Sequence, residues 1–437
     1  MITWRPALLF GLGLTTVWLW PWPWLALLGL GLLVAAVCLV DLLLTPDPGE
    51  LKLSRQGATV VRIGEEAEVR LVLHNPAEAA YKLDVRDAWT PSAGASPYSH
   101  RLELEPGATE SLPTTLRPTR RGDRPSVRVT LRAYGPLGFT FRQVRHARAD
   151  SMTPPWTLRV LPRFESRKHL PEKLAKLRTL DGATTIRGRG QGTEFDALRE
   201  YVVGDDVRSI DWRATARRND VVVRTWRPER SRRVVCVLDT GRTSAVRVGD
   251  EPRIEYAIEA ALLLATVAQH AGDQVDLIAA DERVRAQVTR SSGRTLLPRL
   301  VDALAPLHPA LAETDFELVI SEVLRTERKR SLIVLFTALE PGALGEGLLP
   351  VLPRLAARHT VLVAALHDPV ISELVGTAPV DAASVYRRVA GLRAREDRER
   401  VVRSLSKHDV RVLDAPADVF ASRVTDVYLE LKATGRL

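Results

Sequence analysis

The sequence predicts a multidomain protein: an N-terminal transmembrane helical hairpin, an all-β sandwich, and a C-terminal α/β domain on a doubly wound, mostly parallel sheet. Three observations predict it. Two apolar runs separated by a proline–tryptophan turn fill the first 44 residues. Between about residues 51 and 161, short runs alternate apolar and polar residues with period two, the pattern of half-buried antiparallel strands. From residue 232 onward, continuous apolar runs alternate with amphipathic segments of helical period, as in parallel strands covered on both faces. A chain of 437 residues is too long for one ordinary domain.

The hairpin comes first. Residues 7–20 are almost wholly apolar, Pro21-Trp22-Pro23-Trp24 follows, and residues 25–44 carry one charge, Asp41. A run of about 20 residues crosses a hydrocarbon core of about 30 Å, and the first run reaches about 17 when read over 6–22. The prolines end one helix and turn the chain into the next. Trp18, Trp20, Trp22 and Trp24 cluster at the turn, where an interfacial aromatic belt belongs. Arg5 precedes the hairpin, Lys52, Arg55 and Arg62 follow it, and the turn is uncharged. The positive-inside rule then predicts a two-pass protein of the inner (cytoplasmic) membrane, held in the bilayer through residues 6–44, with its large C-terminal part in the cytoplasm. A cleavable signal peptide fits poorly, because the apolar region is long and has no small-residue cleavage site. A single span of opposite orientation is the rival.

Composition narrows the classes further. Lys plus Arg exceed Asp plus Glu, 62 to 53, giving a net charge of +9 that suits an anionic partner without choosing between nucleic acid and an acidic membrane surface. Cys38 and Cys236 each lie in an apolar run, so neither a disulfide framework nor a CxxC metal site is expected, and both read as buried and inert. Phosphate-loop, HExxH, GxSxG and dinucleotide fingerprints are missing, and His270, His359 and His408 read as surface residues near element ends.

The sandwich is predicted over 51–161, with strands at 59–63, 68–74, 81–86, 100–104, 109–116, 126–132 and 139–145. Asn75-Pro76, Pro106-Gly107 and Gly122-Asp123 separate them. The size and spacing are immunoglobulin-like. Nothing in this region carries chemistry, so its expected work is spacing or binding another protein.

A third region, 162–231, holds the densest pattern. From residue 190 it reads G-Q-G-T-E-F-D-A-L-R-E-Y-V-V-G-D-D-V-R-S-I-D-W-R-A-T-A-R. Between Arg187 and Arg233 there are twelve arginines against eight acids. Arginine favours planar, bidentate pairing with carboxylates. One reading is a self-satisfied Arg–carboxylate network, covered by Phe195, Tyr201 and Trp212, that clamps the segment onto the following domain. A second is a partner-docking face made by Glu194, Arg199, Glu200, Tyr201, Asp205, Asp206, Arg208, Asp211, Trp212 and Arg217. A third is a hydrolase site using Glu194, Asp205 or Asp211, although no His or metal-ligand spacing accompanies them. Gly188, Gly190, Gly192 and Gly204 supply backbone freedom, and Arg187-Gly-Arg-Gly190 could clasp a phosphate.

This segment closely resembles the family known as domain of unknown function 58, whose members are membrane-anchored. Arg117-Pro-Thr-Arg-Arg-Gly122 and Tyr134-Gly-Pro-Leu-Gly-Phe139 are similar to the family's Arg-Arg-Gly and Asp-Pro-Leu-Gly signatures, with Gly135 in place of the usual Asp. The chain end, Tyr428 to Leu437, is similar too. The resemblance implies a non-catalytic scaffold or adaptor that cooperates with a MoxR-type AAA+ ATPase in assembling or maturing a client protein.

The C-terminal domain, 232–437, has expected strands at 234–239, 275–280, 332–337, 361–366 and 410–413. Helices are expected at 254–270, 295–305, 316–325, 344–358 and 419–431, and the mixed charges of 394–407 read as a solvated face. The order resembles a von Willebrand factor A domain. That resemblance implies Mg²⁺ at a D-x-S-x-S loop, with a later Thr and an Asp after the fourth strand. Here Asp239 matches, Thr243 stands for a Ser, Thr314 is the candidate later Thr, Gly241 lacks a hydroxyl, and Ala338 stands where the second Asp is expected. The resulting metal site, Asp239, Thr243 and Thr314, is degenerate, and Arg242 adds a positive charge to the loop. The competing functional class is a membrane-attached nucleic-acid-binding protein using the arginines of 187–233. The interleaved acids and sparse aromatics make nucleic acid the weaker partner.

Overall fold

The computed structural model describes residues 1–145, 153–187, 194–202, 205–218, 220–227, 232–291 and 293–436. They form two units, 1–161 and 162–437.

In the first unit, helix α1 covers Arg5–Val17 and α2 covers Pro23–Leu44. The structure ends α1 five residues short of the predicted 22, because a residue before proline is pushed out of helical geometry and Pro21 and Pro23 both act on this turn. At 13 residues α1 is about 20 Å long. Among the described residues, one helix, the one beginning at Pro23, is long and apolar enough to cross a membrane. Its lone acid is buried. The Asp41 carboxylate accepts from Leu137 N (2.8 Å), Thr140 N (2.7 Å) and Thr140 Oγ1 (2.9 Å). The start of the chain docks on the same turn: Ile2 bridges Thr140, and Thr3 N donates to Phe139 O at 2.9 Å. Residues 135–141 therefore receive both apolar helices.

Ten strands follow in this unit: β1 (Lys52–Gly57), β2 (Val60–Arg62), β3 (Ala67–His74), β4 (Tyr81–Trp89), β5 (Ala95–Ser96), β6 (Ser99–Leu104), β7 (Thr109–Leu116), β8 (Gly122–Tyr134), β9 (Phe141–Arg145) and β10 (Thr157–Leu161). One sheet runs β1-β3-β7-β5; the other runs β2-β10-β8-β4-β6, with β9 on β8. Burial alternates strictly along β3 and β4, so each presents one apolar face. Those faces meet in a shared core of Leu71, Leu73 and Leu112 against Leu83, Val85 and Leu131. β1 escapes the sequence pattern because an inward position is Arg55. Its guanidinium is buried, ion-paired with Asp87 and stacked 5.2 Å from the Trp89 ring centroid. Arg55 is thus a core residue, not the exposed flanking charge expected of it.

The second unit opens with α3 (Leu170–Arg187), then β11 (Glu194–Glu200), α4 (Trp212–Arg218) and β12 (Val222–Arg227). β13 (Arg233–Asp239) follows, then a two-residue ladder of β14 (Arg247–Val248) and β15 (Glu251–Pro252), and α5 (Arg253–His270). β16 (Gln274–Ala280), β17 (Val284–Ser291), α6 (Leu296–Leu304), α7 (Phe316–Thr326), β18 (Leu332–Phe336), α8 (Leu352–Ala356), β19 (Thr360–Leu366), α9 (Pro369–Gly376), α10 (Ala382–Ser406), β20 (Arg411–Ala415) and α11 (Phe420–Ala433) complete it. The main sheet runs β17-β16-β13-β18-β19-β20, with β17 the antiparallel edge and the other pairings parallel. On one face α7, α8 and α10 bury Phe316, Ile320, Leu352 and Leu405 against alternate strand residues such as Val235, Val237, Leu335 and Val363. The helix predicted over 344–358 is broken: Ala343–Leu348 forms a wider turn and α8 is five residues long. Pro353, which cannot donate within a helix, lies in the first turn of α8. The sequence reading did not assign α3, α9, the first half of α10, or β17.

His359 departs from its expected surface position. It is buried beside β19, and neither ring nitrogen has a hydrogen-bond partner. Burial, then the charges of Arg358 and Arg330, hold its pKa below the ordinary 6.5.

Asp41→Ala strands three donors and is expected to cost roughly 3 kcal/mol, read as a lower thermal midpoint of the detergent-purified chain. A Cβ at position 135 would overlap the Asp41 carboxylate. Gly135→Asp alone is therefore expected to destabilise, and in the Asp41→Ala background to recover part of the loss; an unchanged midpoint for Asp41→Ala refutes the account. For His359, the folded chain binds fewer protons than the unfolded chain below the unfolded pKa of about 6.5, so stability is lost as pH falls through that value. His359→Phe is expected to flatten the acid limb of a denaturation midpoint-versus-pH curve, and a curve of unchanged slope would count against it.

Candidate functional site

Asp239 is the last residue of β13, and Thr337 immediately follows β18. The chain leaves β13 to one side for β16 and returns on the other at β18, so the strand order reverses here, where open α/β sheets form crevices. Continuous apolar strands deliver both residues to the same sheet edge.

Three threonines from three separate loops converge on the Asp239 carboxylate. Oδ1 accepts from Gly241 N at 2.8 Å and Thr314 Oγ1 at 2.5 Å. Oδ2 accepts from Thr243 Oγ1 at 3.1 Å and Thr337 Oγ1 at 2.6 Å. Ser244 Oγ closes the turn onto Gly241 O at 2.7 Å. A Cβ at position 241 would overlap Thr314 Oγ1, so the glycine that lacks the expected hydroxyl is what lets Thr314 reach the acid. Arg253, the first residue of α5, donates to Thr243 O and Glu340 Oε1, each at 3.1 Å. Arg242 turns outward onto Glu313 at 2.9 Å. A cavity of about 230 Å³ opens beside Asp239, with Arg242, Glu313, Thr314 and Phe316 in its wall.

Asp239, Thr243 and Thr314 are thus brought together as expected. Thr337 was missed although it directly follows an apolar strand and stands beside Ala338, where the resemblance implies an acid; Ala338 is buried. Asp281 was missed as well. It is buried one loop away, accepting from Thr240 Oγ1 at 3.0 Å and Arg285 Nε at 2.6 Å. Burial opposes its ionisation, but those donors and Arg283 N–H together hold it below the usual carboxylate range. Among the described residues no group of three or more His, Cys, Asp or Glu is arranged to hold a metal ion. The donor set around Asp239 does not fit Mg²⁺. It contains one carboxylate, whose acceptor positions are filled by four protein donors, and Arg253 lies beside it.

The signature segment forms an arm. β11 and β12 pair antiparallel, with Glu194 opposite Arg227 and Glu200 opposite Val222. The turn between them is wired locally. Arg199 Nη2 meets Asp205 Oδ1 at 2.5 Å, and Val202 N donates to Asp205 Oδ2 at 3.0 Å. Asp206 accepts from Arg208 N at 3.0 Å. Asp211 caps α4 by accepting from Arg213 N and Ala214 N, each at 3.0 Å, and holds Arg224 at 2.8 Å. The Ala214 N–H and the Arg224 guanidinium keep Asp211 below the usual carboxylate range. Tyr201 is half-buried and its N–H donates to Val221 O at 2.8 Å; Arg208 and Arg217 are exposed.

The arginine–carboxylate pairing is therefore present, but as surface pairs within the arm. Trp212 does not cover them: it is 66% exposed, with Val202 and Val207 exposed on the same arm. Gly188, Gly190, Gly192, Gly204 and the Arg187-Gly-Arg-Gly190 turn beyond Arg187 lie outside the described residues, as do the side chains of Glu194 and Phe195. The cysteines divide. Burial, then the nearby Asp276, pushes the Cys236 thiol up to about 12, whereas Cys38 is half-buried.

A polar loop at the reversal point of an α/β sheet, preceded by a charged arm, defines the class. Residues 197–410 match the family described as "Protein of unknown function DUF58". The uncharacterized proteins Rv1480 of Mycobacterium tuberculosis (strain H37Rv) and Mb1516 of Mycobacterium bovis are each 30% identical over 189 residues, 41% of this chain and 56% of theirs. The chain thus spans about half the length of the curated relatives it matches. Among solved structures, the CARDB domain of the PF1109 protein from Pyrococcus furiosus overlaps 26% of this chain and 89% of its own, at 17% identity and a TM-score of 0.19. Proximal thread matrix protein 1 from the mussel byssus overlaps 46% of each chain at 10% identity and a TM-score of 0.28. Overlaps this slight carry no function across.

Asp239→Ala leaves one N–H and three hydroxyls without their acceptor and is expected to cost roughly 3 kcal/mol, whereas Thr337→Val removes a single donor and is expected to cost about 1 kcal/mol. Thermal unfolding with hydrogen exchange across residues 240–244 reads both; equal effects of the two variants would refute a shared acceptor.

Proposed function

We propose that this chain is a non-catalytic, membrane-tethered adaptor that holds protein partners, and that the arm of β11, α4 and β12 is its docking face. The exposed Trp212 carries the reading. A large aromatic left in water on the same arm as the exposed Val202, Val207 and Arg208 has the composition of a binding hot spot. The acids of the arm are already employed as caps and ion-pair partners, which weighs against the hydrolase reading for Asp205 and Asp211. The tying of Arg199 and Arg224 to those acids likewise weighs against a nucleic-acid face.

The tether in this reading is the pair α1–α2, inserted as a two-pass hairpin with both ends on the cytoplasmic side. The α/β domain acts as a von Willebrand factor A-like module, a reading supported by its strand order and by the position of Asp239, with its loop held by threonines rather than by a cation. The partner implied by family resemblance is a MoxR-type AAA+ ATPase, which would hydrolyse nucleotide while this chain holds the client.

The test is direct binding between the purified full chain in detergent and a purified MoxR-type ATPase from the same organism, with nucleotide present. Trp212→Ala is expected to weaken binding by about 30-fold with the thermal midpoint unchanged, the loss typical of a hot-spot aromatic. No binding by the folded wild type, or equal binding by Trp212→Ala, overturns the assignment.

A further inference from the structure

A cavity of about 670 Å³ in the first unit opens where α1 begins. Arg5, Lys82 and Arg101 line it, with Glu103 as the single acid and Trp4 and Tyr134 among its aromatic residues. Three elements supply the cations: the first residue of α1, and the adjacent strands β4 and β6, in which Lys82 pairs with Glu103 and Asp84 with Arg101 in register. The Lys82 ammonium stands 3.6 Å from Glu103 Oε1, and both side chains are more than half exposed, so this pair is weak and leaves the cavity net positive. Arg5 spends one guanidinium nitrogen on Leu137 O, at 3.2 Å. Trp4 stands 70% exposed at the rim.

The position of the cavity identifies what would fill it. Gly135, Pro136 and Gly138 form part of its wall, and they belong to the turn that receives Asp41 from the last turn of α2. Both apolar helices depart from this turn, and if they enter a bilayer the cavity lies at the headgroup level. An indole at that depth with three cations around a recess matches a phosphodiester whose glycerol and chains run back along the helices. We propose that this cavity is a binding site for the headgroup of an anionic phospholipid, held by Arg5, Lys82 and Arg101.

The proposal rests on the membrane reading above, and the test separates the two. Carbonate extraction of membranes containing the full chain reads insertion alone; release into the soluble fraction would end both ideas. For retained protein, lipid binding to the detergent-purified full chain is measured by native mass spectrometry with phosphatidylglycerol and with phosphatidylcholine. Preference for phosphatidylglycerol is expected. Lys82→Gln/Arg101→Gln is expected to weaken it on the order of 25-fold, roughly fivefold per charge removed. Arg120→Gln/Arg128→Gln, which removes equal charge elsewhere on the sandwich, is expected to leave it unchanged. Equal affinity for the two lipids, or equal loss in the two double variants, overturns the site. Displacement of phosphatidylglycerol by an equal concentration of glycerol 3-phosphate would assign it to a soluble phosphate ester and overturn the lipid reading.

Discussion

A carboxylate taken out of water must find donors, and both units of this chain are organised by that constraint. In the first unit the acid is Asp41, the one charge in an otherwise apolar helix, and the turn at 135–140 supplies its three donors. In the second it is Asp239, and loops that are distant in sequence each contribute a threonine. Each acid fixes a junction: helix to sandwich in one case, and three loops above a sheet edge in the other. Neither junction needs a large apolar contact to be specific, because the geometry of the donors selects it.

The Asp41 junction depends on a glycine. The space a side chain at position 135 would fill is taken by the carboxylate of Asp41. The Asp239 loop uses a small residue in the same way. The room left at Gly241 admits Thr314, and Thr337, beside the buried Ala338, supplies a further donor. The result is a loop saturated by its own hydrogen bonds, which favours rigidity over ion binding.

Charge is handled differently on the arm. Arg199 pairs with Asp205 and Arg224 with Asp211 within the arm, at its surface, where each pair contributes little to stability. Their effect is local shape: Asp211 starts α4, Asp206 tightens the turn before it, and Trp212 is carried outward as a consequence.

The sequence by itself determined the elements whose burial is periodic. The alternation of β3 and β4, the apolar run of α2 and the continuous strands β13, β18 and β19 are each legible because a local repeat reports which side faces the core. It also placed Asp239, Thr243 and Thr314 as one group through family resemblance. Elements whose inward residue is polar were not legible: β1 hides behind Arg55, whose partner Asp87 is 32 residues away. Thr337, Asp281 and His359 were hidden for the same reason, since a single polar residue at a strand end reads as surface until its surroundings are known. Tertiary structure alone decided that Asp41 is satisfied by the sandwich, that Trp212 stands in water, and that Arg5, Lys82 and Arg101 share one cavity. Each of these depends on contacts between distant segments, and hydrophobic periodicity carries no information about which distant donor a buried charge will find.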